Sequence, residues 1–255
     1  MSRLRWAEMV FPAMGTSVRV RVLLPVDAAD SFAARCRRLV GEVEAKLSRF
    51  RADSDVSALA RAPGRWIGVS SHTAAVLRAS AELRVVTGGA FDPVWRLAPG
   101  GLPRAVEVDA DRGLARVAGG GPVDLGGVAK GYTADLLAAQ ARAAGAVSAL
   151  IAVGVSSLTV FGQRPAGGPW RVGIHAPGHG ADQVCGEMTL PGGALSTSGS
   201  DQQGDHVCDP DSGRPAAAGV LQASALAPSG VAAEAYSTAL LVRGLPLASR
   251  LMAGR

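Results

Sequence analysis

The sequence predicts an α+β domain with a mixed β-sheet and flanking helices. Three observations carry this. Helix-length amphipathic stretches and short strand-like runs alternate irregularly, not as regular βαβ units. Most of the helix-like stretches bring their own start or stop signals. The composition, 48% hydrophobic and 18% charged over 255 residues, is that of a folded chain with a large core and excludes a disordered one. No charge run or Ser/Pro linker divides the chain and no fixed-period repeat appears, so one domain is expected over residues 1–255.

Taken in order, residues 17–24 (SVRVRVLL) alternate Val with Arg, the period of a half-exposed strand. Residues 30–49 predict a helix with Phe32, Cys36, Leu39, Val43 and Leu47 on one face and Asp30 or Ser31 as its cap. The polar FRADSDVSALAR then turns into a short helix, with Asp53 and Asp55 as cap candidates. Residues 71–87 predict a second long helix, capped by Ser70 or Ser71 and stopped by Gly88-Gly89. GGAFDPVWRLAPGG reads as a loop, followed by two hairpin-like pieces near 105–108 and 114–118. VDLGGVAKGYTADLLAAQARAAG, from Val123, opens a helix with Tyr132, Leu136, Ala139 and Ala143 on one face and Gly145 just past its end. Residues 149–154 (ALIAVG) are a buried strand. Further strands are expected at 158–161, 170–175, 187–190 and 221–226, and a last helix at 231–243.

Charge and cysteine usage narrow the function. The net charge is +5, but the arginines are scattered and not interleaved with aromatics, which argues against a nucleic-acid surface and suits an anionic small molecule. The three cysteines are far apart with no CxxC, so neither a disulfide framework nor a structural zinc site is expected. No membrane span is expected, and the N-terminus shows neither a signal-peptide h-region nor a cysteine to lipidate, so the expected location is cytoplasmic.

Four stretches could carry chemistry. In DLGGVAKGYTAD, Gly126-Gly127 allow close backbone approach, and Lys130 adds a positive charge to amides at a helix start. The same residues would also serve a plain strand-to-helix turn with a solvated lysine. AAEAYSTALL places Glu234 and Thr238 at i and i+4, two oxygen donors for a hard cation such as Mg²⁺, with Ser237 beside them. A lone exposed acid and a threonine bonded to its own turn fit as well. His206, followed by Asp209-Pro210, could act as a general base or simply end a strand before a turn. GGAFDP holds Asp92 extended before Pro93 and offers Phe91 for stacking, or is only a turn.

The order of these stretches says more than any one of them. MGT at residues 14–16, Phe50 before DSDVS, GAFDP, DLGGVAKGYTAD, TSG…HVCDPDSGRP and AEAYST occur in a sequence that resembles the FAD:protein FMN transferase family, also called ApbE-like flavin transferases. The resemblance runs from about residue 14 to 244. It implies an ApbE-like α+β fold that binds FAD and Mg²⁺. The implied activity moves FMN from FAD onto a Thr or Ser hydroxyl of a target protein and releases AMP. By position, it implies Glu234, Thr238, the Gly127 carbonyl and nearby Ser237 as metal ligands. Met14, Phe50, Ala90, Phe91, Asp92, Asp124 and Lys130 would contact the FAD. His206 would lie by the phosphates with base or orienting duty, and Lys130 would neutralise phosphate charge.

The chain departs from the family pattern at three points. The acid of the last helix is Glu234 where Asp is usual. Gly-Gly-Asp after the central strand is replaced by Gly154-Val155-Ser156, and only six residues separate the TSG from His206. An FAD pyrophosphatase giving FMN and AMP, a chain that binds FAD without turnover, and a different transfer from the same site are the alternatives. Restoring the usual acid, Glu234→Asp, is expected to be tolerated.

Overall fold

Alternation of Val with Arg builds a hairpin at one edge of the main sheet. The computed structural model of the chain describes residues 3–94, 105–119, 121–179, 183–199, 207–216 and 219–253. Strands β1 (Leu4–Ala13) and β2 (Thr16–Pro25) are joined by the two-residue turn Met14-Gly15, with φ of 54° and 69°. Positive φ at both positions gives the turn the twist a tight hairpin needs. Val18, Val20, Val22 and Leu24 are fully buried, while Arg19 and Arg21 face out.

The chain continues through α1 (Ala29–Leu47), α2 (Asp55–Arg61), β3 (Ile67–Gly68) and α3 (Ser71–Val86). Then come β4 (Ala105–Asp109), β5 (Leu114–Ala118), α4 (Ala129–Ala143), β6 (Ser148–Val153) and β7 (Ser157–Phe161). It closes with β8 (Trp170–His175), β9 (Val184–Leu190), β10 (Gly193–Gly199), β11 (Gln222–Ala227) and α5 (Gly230–Ala253). The six-stranded sheet has the order β1-β2-β6-β7-β10-β11, beside a β3-β5-β4 sheet and the β8-β9 hairpin.

The α+β expectation holds. The strand directions differ from a mixed sheet, because every described pairing is antiparallel. The connection from β2 to β6 shows why. Helix α1 starts just after β2 and α4 ends just before β6, and Gly145 lies against Pro25. The excursion through the helices therefore returns the chain to the end of the sheet it left, and β6 runs opposite to β2. One sheet face takes α1 and α4, through Val20, Phe32, Leu137 and Ile151 among others. On the opposite face Trp170 and Leu190 of the hairpin pack against Val160 and Leu195. A second core joins α2, α3 and β5 to the start of α4 and to α5.

Local signals fix several boundaries. Ser70 caps α3 by accepting from the Thr73 amide at 3.2 Å. Gly88 and Gly89, both at positive φ, end it. Gly145, with φ of 81°, follows α4. Other expectations are corrected. Helix α1 begins at Ala29 after a 3₁₀ turn, so Asp30 and Ser31 lie in its first turn and neither caps it. The α2 cap is Ser54, and Asp53 pairs with Arg51 instead. Asp55 accepts from the Ser70 amide at 2.7 Å and the Thr73 hydroxyl at 2.8 Å, tying α2 to α3. On α4 the buried residues include Ala134, Leu137, Ala138 and Ala141, while Ala139 and Ala143 are exposed. That helix is covered on two sides, so a single apolar stripe does not describe it. Strands β1, β3 and β10 go unrecognised in the sequence. The last helical segment runs on to Ala253, broken at Gly244 (φ 61°, ψ −149°) and restarted at Pro246.

The tightest contact joins α4 and α5. A Cβ on Gly131 would sit 2.2 Å from the Gly230 carbonyl oxygen, and one on Gly230 would sit 2.4 Å from that of Gly131. Gly131→Ala is therefore expected to cost about 3 kcal/mol in urea unfolding. Gly41→Ala, at a helix position with open space, should instead gain about 0.5–1 kcal/mol.

A second prediction concerns acid. Burial pushes the Asp55 carboxyl up, but the hydrogen bonds from Ser70 and Thr73, with Lys46 nearby, hold it below its ordinary 3.8. A lowered native pKa gives stability that is complete above 3.8 and is lost as pH falls through the native value. The stability difference between the native chain and Asp55→Asn is expected to stay level from pH 7 to about 5 and to close below about pH 4, read by urea unfolding across that range.

Candidate active site

At one end of the main sheet the chain encloses a cleft of about 680 Å³, the size of a cofactor pocket. The Met14-Gly15 turn, the end of α1, residues 90–92, residues 124–130, β10 and residues 207–210 wall it. Of the twelve residues the sequence singles out, ten line it: Met14, Phe50, Ala90, Phe91, Asp92, Asp124, Gly127, Lys130, Glu234 and Thr238. Ser237 is fully buried behind the lining, where it donates to Ser196 at 3.2 Å and lies 2.9 Å from Ser198. His206 lies outside the described residues, as do residues 95–101 of the expected loop.

Three acids of the cleft, Asp92, Asp124 and Glu234, are held by specific partners. Asp124 accepts from the Gly126 amide at 2.9 Å and from Arg49. Asp92 accepts from Arg84 at 2.6 Å and from the Val94 amide at 2.9 Å. Glu234 is only 3% exposed. Its Oε2 accepts from the Gly131 amide at 2.8 Å, and its Oε1 accepts from the Ser157 hydroxyl. Lys130 Nζ stands 3.8 Å from that same Oε1. Burial pushes the Glu234 carboxyl above its ordinary 4.5, while Lys130, Ser157 and the Gly131 amide pull it down.

Gly127 and Thr238 lie side by side. A Cβ on Gly127 would meet the Phe91 ring at 3.4 Å and the Thr238 hydroxyl at 3.6 Å, so this backbone lies against Thr238. Thr238 Oγ1 is 3.4 Å from Ser198, and Glu234 is one turn back on the same helix. The Glu234 carboxylate, the Thr238 hydroxyl and the Gly127 main chain offer oxygens of the hard type that Mg²⁺ takes. No group of three or more His, Cys, Asp or Glu stands together among the described residues, so softer metals have no ligand cluster there.

Some lining residues carry no sequence signal. Arg49 and Ser196 come to the cleft from separate elements, and Ser157 reaches Glu234 from just behind it. Phe50 is 86% exposed at the cleft, with the Arg49 guanidinium 4.8 Å from its ring centre. Met14 packs against both cores and accepts from the Thr133 hydroxyl at 3.3 Å.

Residues 14–255 match the model of the ApbE family. The chain belongs to the ApbE family. A protein named FAD:protein FMN transferase from Vibrio cholerae serotype O1 is 27% identical over 269 residues, which is 91% of this chain and 80% of that protein. One of the same name from Escherichia coli is 35% identical over 130 residues, 48% of this chain and 37% of that relative. The apo crystal structure of Pseudomonas stutzeri flavinyl transferase ApbE superposes with a TM-score of 0.83 at 26% identity, covering 97% of this chain and 88% of that one. No described helix is long and apolar enough to cross a membrane.

Proposed function

We propose that this ApbE-family chain moves FMN from FAD to a Thr or Ser hydroxyl of a target protein, releasing AMP, with Mg²⁺ held in the cleft. The observation that carries the reading is the convergence of Gly127, Lys130, Glu234 and Thr238 on one cleft. The names of the relatives above supply the reaction.

Charge supports the metal. The described lining holds four carboxylates, Glu44, Asp92, Asp124 and Glu234, against two cations, Arg49 and Lys130. A diphosphate entering alone would meet an excess of negative charge. Glu234, Thr238 and the Gly127 carbonyl are the groups that would hold Mg²⁺. When bound, it supplies charge neutralisation at the pyrophosphate.

The protein's own groups do the rest. Lys130 sits in the first turn of α4, where its charge adds to the helix-start amides and favours phosphate oxygens. Arg49 and the Gly126 amide hold the Asp124 carboxylate at the cleft wall, where it would contact the nucleotide. Phe50 offers a free ring face for stacking. The target hydroxyl oxygen attacks the phosphorus of the FMN half. The bond from that phosphorus to the bridging oxygen breaks, and AMP leaves with that oxygen. The hydroxyl proton passes to a base, assigned to His206.

The test is to incubate the chain with FAD and Mg²⁺, with and without a peptide carrying a flavinylation-type Thr. AMP release with the mass of FMN added to the peptide is the expected outcome. AMP with free FMN and an unmodified peptide would replace the transferase with a hydrolase. FAD binding without AMP would leave a flavin-binding protein.

Three variants give the expected pattern. Lys130→Ala should weaken FAD binding about tenfold, and Glu234→Ala should lower Mg²⁺-dependent AMP release about 100-fold or more. Phe50→Ala should change unfolding free energy by less than about 0.5 kcal/mol, because the ring is exposed, yet weaken flavin binding by about 1 kcal/mol. Fluorescence titration and chromatography read these effects.

A further inference from the structure

The Glu234 carboxylate uses both of its oxygens inside the protein before any ligand arrives. One accepts from the Gly131 amide at 2.8 Å, and the other accepts from the Ser157 hydroxyl. Ser157 is 2% exposed and opens β7, paired with Val153 on one side and Ser196 on the other. Its hydroxyl is therefore presented from the middle of the sheet, on backbone that cannot easily shift. We propose that Ser157 is a positioning residue for Glu234, and that the cleft is built around the longer acid. The proposal rests on the reading of Glu234 as a cation ligand given above.

Three observations support it. First, Ser157 directly follows the Gly154-Val155-Ser156 segment that stands in place of the family's Gly-Gly-Asp, and it touches the other departure, Glu234. Second, Thr159 stands two residues along the same strand face and donates to Asp135 at 3.0 Å. Asp135 does not line the cleft and spends its oxygens on the Gly230 and Val231 amides. Glu234 does line it, with Thr238 one turn on, so Ser157 fixes a carboxylate that faces a ligand. Third, each Glu234 oxygen that accepts one protein hydrogen bond keeps a second lone pair for a cation. The two protein donors set the plane in which those lone pairs point.

The longer side chain is what reaches both donors. Removing one methylene would draw the carboxylate back by about 1.5 Å. A 2.8 Å contact then opens past hydrogen-bond range. Glu234→Asp, which looks harmless in sequence, is expected to cost the site its orientation.

The experiment titrates Mn²⁺ into the full chain with FAD present, counting bound ion by loss of the free-ion EPR signal against an FAD-only blank. The Mg²⁺ dependence of AMP release is measured in parallel. Ser157→Ala and Glu234→Asp are each expected to weaken Mn²⁺ binding about tenfold. The double variant should be no weaker than Glu234→Asp alone, because the shortened acid no longer reaches the hydroxyl. For Ser157→Ala the activating Mg²⁺ concentration should rise while the rate at saturating Mg²⁺ recovers.

Ser157→Thr and Ser157→Val have the same shape with and without the hydroxyl. Thr should keep native affinity within about threefold and Val should lose about tenfold, whatever either does to stability. Equal affinities for that pair, native affinity in Ser157→Ala, or multiplying effects in the double variant would overturn the proposal. A native chain that binds no Mn²⁺ beyond the blank would overturn the metal reading of Glu234 and this proposal with it. Binding by the native chain that Ser157→Ala leaves unchanged would overturn only the proposal.

Discussion

The site depends on one crossing, where α4 and α5 touch backbone to backbone at Gly131 and Gly230. Each helix start leaves amides without partners inside its own helix. Here each helix supplies a carboxylate to the other. Asp135 of α4 accepts from the Gly230 and Val231 amides of α5, at 2.8 Å and 3.3 Å. Glu234 of α5 accepts from the Gly131 amide of α4. A side chain at either glycine would separate the helices and break both exchanges. The glycines and the acids thus form one constraint, written into two motifs about a hundred residues apart in sequence.

That constraint carries an electrostatic load. Asp135 and Glu234 are both pushed above their ordinary values, chiefly by burial. Charge in such a place is costly unless it is well hydrogen-bonded. The sheet supplies the bonds through alternate positions of β7, Ser157 for one acid and Thr159 for the other. Neighbouring β10 continues the pattern, with Ser196 and Ser198 meeting Ser237 and Thr238 of α5. A purely apolar interface would hold two helices on a sheet at lower electrostatic cost. Asp135 caps a helix and is explained by structure alone. Glu234 also opens onto the cleft, beside Lys130.

This polar layer explains which parts of the fold were legible in the sequence. Val–Arg alternation in β2 and the apolar stripe of α1 are simple periods, and both elements form where expected. Strand β10 reads GALSTSG and shows no apolar alternation, because the face it turns to α5 is hydroxyl. Strand β1 is an edge strand, with Val10 half exposed and Pro12 near its end, so its alternation is blurred. Within the site, residues carried by local motifs were found, and ten line the cleft. Arg49 and Ser157 were not, because their roles exist only through contacts 75 and 77 residues distant in sequence.

The cleft also lies on a seam. Met14 and Leu39 pack against both of the large cores, one beneath the main sheet and one beneath α3 and α5. Cores are held by apolar area, which tolerates small shifts of angle. The seam is held by directed bonds: Arg49 to Asp124, Arg84 to Asp92, and Glu234 to Ser157, Gly131 and Lys130. These join the α1 end and α3 to the cleft floor, and α5 to β7 and α4. The two cores supply stability and the polar seam supplies geometry. Changes at seam residues that leave both cores intact should therefore alter ligand affinity well before they alter the unfolding midpoint, whereas changes at the glycine crossing must alter both together.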